Sequence, residues 1–408
     1  MESHVDFDLN ESLKYYQDDP STIATPEADS ALVDCENDPE ALTSAVINSA
    51  LDPIVDSVAE NPDAIARGSN FDTLQFLLKC APTISYAQQS YITVPDFLDL
   101  VVSGLAAEAD IVHNDLEVDE QESVQHHKQP LEMFAFLLQW TMAAVEAKAA
   151  EKPASAPAAR GKGAKSAKSK IGANKDGSWD SSTQVQTALD TMSKVLKLKL
   201  VKVFLTTSER NTFVSLFTKP VYLVLESETR IKSTAIRMHA FKVLCIAVKH
   251  HGHAFGAQTS IIQNLSYFEH LSEPMAEFLH ILAEQYDYAQ LTEEVLRELS
   301  NKEFNSNDAK GPKSVSTFIT KISELAPRLV IKQMTLLAKL LDSESYTLRC
   351  AIIEVCGNLI AMLSKQEGEE RSETHKGQIN AFFDVLEERL LDINPYCRCR
   401  AIQVPRRS

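Results

Sequence analysis

Glycine is scarce in this chain, with 12 in 408 residues. Sheet-rich folds use glycine in tight turns and doubly wound folds use it in phosphate loops, so the scarcity argues against both. Cysteine is also sparse. The seven at 35, 80, 245, 350, 356, 397 and 399 form no CxxC pair. Most fall on apolar helical stripes, where a free thiol behaves as a small buried hydrophobe, and a reduced, intracellular compartment is expected. No G-x-x-x-x-G-K-[ST], G-x-S-x-G or H-E-x-x-H occurs, so no catalytic constellation and no cofactor is expected. The amino terminus is acidic where a secretory signal would be cationic. No apolar run approaches the roughly 18 residues of a spanning helix, so no membrane role is expected.

What remains is apolar periodicity. Leu336, Leu337, Leu340 and Leu341 fall on one helical stripe, and Asp342, Ser343 and Ser345 form a polar turn suited to capping. Leu348, Ile352, Val355, Cys356 and Leu359 then rebuild an apolar stripe that only a neighbouring helix pair can cover. The unit recurs in degenerate form. Ile236-Arg237 with Ala240 echoes Leu348-Arg349 with Ala351, and LLDINPYCRCRAIQV at 390–404 echoes 340–355, Arg398 matching Arg349. The period lies slightly above the roughly 40–47 residues usual for such repeats. The fold class expected is all-α, an alpha-alpha superhelix of stacked repeats. Asp342, Leu348, Arg349, Ala351, Asp392 and Arg398 are its repeat-structural residues, with the arginines bonding to turn acids such as Asp342 and Asp392. The last repeat reads as incomplete, which suggests a fragment or a truncated product.

Four regions are expected. Residues 1–40 are an acidic, loosely ordered leader, and 41–150 form an amino-terminal helical region. Residues 151–178 are a basic loop, and 179–408 hold the helical repeats. The net charge of −17 argues against the whole chain coating nucleic acid by charge alone, but not against a local basic patch. Lys152, Arg160, Lys162, Lys165, Lys168, Lys170 and Lys175 supply that patch, in a segment without a single acid. With almost no large apolar group it cannot offset its ordering entropy by burial, and disorder is expected. Seven such charges could hold DNA non-sequence-specifically, while a solvated linker is the plainer reading. Phosphorylation of Ser155, Ser166 or Ser169 would lower the charge. His250, His251 and His253 read as a helix C-terminus rather than as metal ligands, and His126-His127 as part of a polar loop. Cys397-x-Cys399 is too tight for a zinc pair. No metal site is expected.

The run SESYTLRCAIIEVCGNLI at 343–360 closely resembles the condensin subunit 1 family, the non-SMC HEAT-repeat subunits of condensin. ERLLDINPYCRCRAIQV at 388–404, the long block at 234–287 and FDLNESLKYYQDD at 7–19 are similar to the same family, in the same order. The resemblance implies a non-catalytic HEAT-repeat scaffold, the amino-terminal portion of a longer subunit, acting in mitotic chromosome condensation. The partners it implies are the kleisin subunit, the SMC ATPase subunits and the second HEAT-repeat subunit, with chromatin, DNA and histones as further candidates. The location implied is the nucleus and mitotic chromosomes, with cytoplasm in interphase. The competing reading is another HEAT or armadillo scaffold, such as a nuclear transport receptor or a phosphatase scaffold. A metal-dependent enzyme built on the His250 cluster is a distant third.

Overall fold

A computed structural model describes residues 7–18, 43–67, 70–87, 93–150, 181–304, 310–365 and 373–404. The chain is all-α, with no β-strand among the described residues. It divides into two compact units, Met1–Ile246 and Ala247–Ser408.

The first unit opens with α1 (Leu9–Asp18), α2 (Ser44–Glu60), a 3-10 turn at Pro62–Ala66 and α3 (Asn70–Ala87). Within the acidic leader, α1 is anchored: the Phe7 ring meets Phe71 and Phe136 edge-on at 5.1 and 5.6 Å. Then come α4 (Thr93–Val118) and α5 (Gln121–Ala150), a helical hairpin turned at Asp119 in the left-handed region (φ 62°). Phe134, Ala135, Leu137, Leu138 and Met142 of α5 are fully buried, as its apolar sequence demands. Its first ten residues are polar apart from Val124 and Pro130, yet they too are helical. The sequence expectation of a loop at His126-His127 is therefore corrected: the polar stretch is an exposed helical face, with Val124 and Pro130 turned inward. Gly104 of α4 lies against Phe134, and a Cβ there would overlap the ring.

Next follow α6 (Ser182–Val195), α7 (Leu200–Val203), α8 (Thr207–Glu226), α9 (Glu228–Lys232) and α10 (Thr234–His251). The apolar run over 185–205 is not one helix but is broken at Leu196–Lys199. Val195, Leu196, Leu198 and Leu200 are all buried while Lys194, Lys197 and Lys199 are exposed, because the turn itself is part of the core. Thr206 and Glu209 close a reciprocal capping box on α8.

The second unit holds α11 (Ala254–Tyr267), α12 (Ser272–Tyr286), α13 (Gln290–Asn301), α14 (Lys310–Leu325), α15 (Pro327–Leu337), α16 (Tyr346–Ser364), α17 (Glu373–Glu388) and α18 (Pro395–Gln403). In this unit α12, α14, α16 and α18 pack successively as one layer. Helices α11, α13 and α15 pack successively as the other, and α17 lies on α16. That is the two-layer ladder of a helical-repeat protein, in which each pair covers its neighbour's apolar stripe. At 19 residues, α16 is long and apolar enough to cross a membrane by length and composition, which corrects the expectation that no run approaches that size. Its apolarity follows from its place in the ladder, since it is packed by α14, α17 and α18 and is mostly buried. Core helices of this kind pass the same length test.

Candidate interaction surfaces

Three arginines do the same job at three turns. Arg237 donates through Nη1 to the carbonyl of Ile231 at 2.9 Å, Arg349 to Ser343 at 2.8 Å and Arg398 to Asp392 at 2.8 Å, each six residues back. Arg349 and Arg398 also reach the next carbonyl, of Glu344 and Ile393, both at 3.1 Å. Each side chain thus satisfies carbonyls left open at the end of one helix while belonging to the next. Asp392 adds a link between repeats: its two carboxylate oxygens accept from Nε and Nη2 of Arg349, both at 3.0 Å. Both partners are buried, and the Arg349 hydrogen bonds hold the Asp392 carboxyl below its usual range. Asp342 is exposed and takes no such place. Leu348 and Ala351 are buried beside this pin.

The first unit has a comparable pin that the sequence did not announce. Arg230 of α9 donates to Glu146 of α5 at 3.0 and 3.3 Å, and its remaining nitrogens reach the Ser181 and Ser182 hydroxyls. Burial pushes the Glu146 carboxyl up, against the pull of Arg230. The partners lie 84 residues apart, so no local pattern signals the pair.

On the layer formed by α12, α14, α16 and α18 an open groove of about 650 Å³ crosses successive repeats. Tyr346 and Tyr396 stack at its edge with centroids 5.7 Å apart, and both are exposed. Its charges are largely paired internally, Arg400 with Glu354 and Lys321 with Glu324, each at 3.0 Å. Beneath it the Cys350 and Cys397 sulfurs lie 3.3 Å apart, with burial pushing the Cys397 thiol up to about 12. Such a surface offers an aromatic ledge and backbone-length reach rather than a closed small-molecule pocket. A second groove, of about 790 Å³, runs between α2 and α4 in the first unit. Leu51, Val55, Val58, Leu100 and Ile111 line it, with Asp52, Asp96 and Asp99 alongside. Burial raises the Asp96 carboxyl, helped by Asp99 and Asp52.

One titratable cluster is enclosed. Asp63 of the 3-10 turn, Glu108 of α4 and His127 of α5 bring one ligand atom each within 4.8 Å of one another. His127 Nδ1 is 2.7 Å from Glu108 Oε1 and 3.3 Å from Asp63 Oδ1, and His126 Nε2 is 3.2 Å from Asp63 Oδ2. Burial, with Asp63 and Asp115 nearby, pushes Glu108 up to about 8. Among the described residues this is the one group with metal-ligand convergence; His250, His251 and His253 do not join one. His250 and His251 lie in the last turn of α10, ahead of Gly252 at φ 70°. The basic residues Lys152, Arg160, Lys162, Lys165, Lys168, Lys170 and Lys175 lie outside the described residues.

Residues 93–257 match the family described as non-SMC mitotic condensation complex subunit 1, N-term. That stretch runs from the start of α4 into α11. The chain is 46% identical over 227 residues to condensin complex subunit 1 of Schizosaccharomyces pombe, covering 55% of this chain and 20% of that protein. It is 42% identical over 220 residues to the Saccharomyces cerevisiae protein of the same name, covering 54% and 18%. It is 27% identical over 339 residues to the Xenopus laevis one, covering 82% and 24%. The matches thus span about a fifth of the length of these curated relatives.

Proposed function

On the premise that residues 93–257 carry the condensin subunit 1 amino-terminal family domain, we propose that this chain is a non-catalytic scaffold portion of a condensin complex, acting in chromosome condensation. The family match carries this reading, and the architecture suits it: a ladder of helix pairs presents long grooves on which an extended partner segment can make many shallow contacts. The partners proposed are the kleisin subunit and the SMC ATPase subunits, with the second HEAT-repeat subunit in the same assembly. ATP turnover belongs to the SMC subunits. The chain's role is to hold a kleisin segment, for which the Tyr346–Tyr396 ledge offers aromatic anchors. The basic residues from Lys152 to Lys175 add a non-sequence-specific DNA contact. The working location is the nucleus and, in mitosis, the chromosomes.

Affinity purification of the tagged chain from mitotic extract, with partners identified by mass spectrometry, tests this. Co-recovery of a kleisin and two SMC subunits is expected, and Tyr346→Ala with Tyr396→Ala should lower it without changing the melting temperature. Recovery of a small GTPase with cargo, or of a phosphatase catalytic subunit, in place of SMC subunits would favour the general-scaffold alternative and overturn the proposal.

A further inference from the structure

We propose that Asp63, Glu108 and His127 form a binding site for a single divalent transition cation, of which Zn²⁺ is the best-matched probe, stapling the 3-10 turn to the α4–α5 hairpin. The three ligands come from three separate elements: Asp63 from the turn at Pro62–Ala66, Glu108 from mid-α4 and His127 from the second turn of α5. The Glu108 side chain is completely shielded from solvent. Its Oε2 is a buried acceptor without a hydrogen-bond partner, and Asp63 Oδ1 accepts no hydrogen bond either, with His127 Nδ1 facing it at 3.3 Å. An unpaired Glu108 oxygen at a fully buried position is costly, because a desolvated acceptor loses its water and gains nothing in return. The charges acting on Glu108 make this worse, since both Asp63 and Asp115 are acidic. A dication supplies what the protein does not: positive charge facing both carboxylates.

The donor set also fits. One imidazole with two carboxylates is a borderline combination that suits Zn²⁺ better than the all-oxygen shells preferred by Mg²⁺ or Ca²⁺. With metal–ligand bonds of about 2.0–2.2 Å, neighbouring tetrahedral donors lie roughly 3.3 Å apart. The His127 Nδ1 to Asp63 Oδ1 distance of 3.3 Å already matches this, and the 2.7 Å to Glu108 Oε1 must open by a fraction of an ångström. His126, 3.2 Å from the far oxygen of Asp63, would orient that carboxylate from outside, as ligand-supporting groups do at known metal sites. Three protein donors leave a fourth position for water. The inferred role is structural, and it does not depend on which partners the chain binds.

The test is calorimetric titration of ZnCl₂ into the untagged full chain, with thermal melts and zinc X-ray absorption on the same sample. One Zn²⁺ per chain is expected, with a raised melting temperature and an oxygen/nitrogen shell containing one imidazole. Glu108→Gln, Asp63→Asn and His127→Ala should each weaken binding on the order of 100-fold. The first two are near-isosteric and guard against loss of fold; were all three to unfold, the absorption spectrum of the unaltered chain still decides the ligands. No stoichiometric zinc, undiminished binding by the folded variants, or a sulfur-containing shell would overturn the proposal.

Discussion

At the scale of single residues, the arginine pins decide what the repeat signature is for. Asp392 and Arg349 are both buried, so removing either leaves an unpaired buried charge, and the loss should exceed the value of the contact itself. Asp392→Ala is therefore expected to destabilise by about 3–5 kcal/mol in denaturant melts, and Arg349→Met with Asp392→Leu by distinctly less. A double variant as unstable as the single one would mean that the contacts of these side chains, the turn caps of Arg349 and Asp392 included, carry the energy rather than the orphaned charge. Glu132 of α5 carries a prediction about pH. Burial pushes its carboxyl from 4.5 up to about 7, against the pull of Lys128 and with Glu209 and Asp8 nearby. The folded state binds this proton more tightly than the unfolded chain, so the neutral acid is accommodated at low pH and stability falls as pH climbs from 4.5 through 7. Melting temperatures across that interval should decline, and Glu132→Gln should flatten the decline without abolishing it, since Glu108 is raised as well. The sequence showed the recurring arginines at 237, 349 and 398 and suggested turn acids as their partners. Asp392 is one, whereas Asp342 is not, and the bonds to turn carbonyls carried no sequence signal. Asp342 and Asp392 look equivalent in LLD, yet in space Asp392 corresponds to Ser343: each caps the amide two residues on, at 2.8 and 3.2 Å. A one-residue shift in a turn is invisible to apolar periodicity, because the helices on either side keep their stripes.

At the scale of helices, glycine scarcity makes the few helical glycines informative. An exposed helical glycine is worse than alanine by about 1 kcal/mol, so replacement by alanine normally stabilises. Gly104 and Gly357 should behave in the opposite way. A Cβ on Gly104 would overlap the Phe134 ring, and one on Gly357 would overlap Val404 Cγ1, so each glycine sets how closely two helices approach. Gly104→Ala should therefore lower the melting temperature, by forcing apart a hairpin whose facing side chain is a fully buried phenylalanine. Gly357→Ala should do the same more mildly, because a valine can rotate. Gly377, with open space around its Cα, is the control expected to gain stability. The existence of most helices was legible from apolar spacing, whereas their ends were not. The α5 helix runs ten residues upstream of its apolar stretch because polarity marks exposure, not loop. The same misreading hid the Asp63–Glu108–His127 cluster: its ligands are 45 and 19 residues apart in sequence, and only the hairpin brings them together.

At the scale of the whole chain, charge is distributed so that one short stretch opposes the rest. The net charge is −17, while residues 152–175 carry seven positive charges and no acid. If those charges neutralise phosphates, affinity for duplex DNA should fall with salt at a log–log slope of about −6, and sequence should matter little. Deleting 152–175 should remove most of that slope. It should leave helical circular dichroism and the melting temperature nearly unchanged, since a stretch with one large apolar residue, Ile171, can contribute little to a core. Binding that survives the deletion with an unchanged slope would move the contact to another face. A collapse of cooperative melting would instead mean that the basic segment packs against the helices. The two readouts separate the electrostatic role from the structural one, because counterion release responds to salt whereas burial of apolar surface persists at high salt.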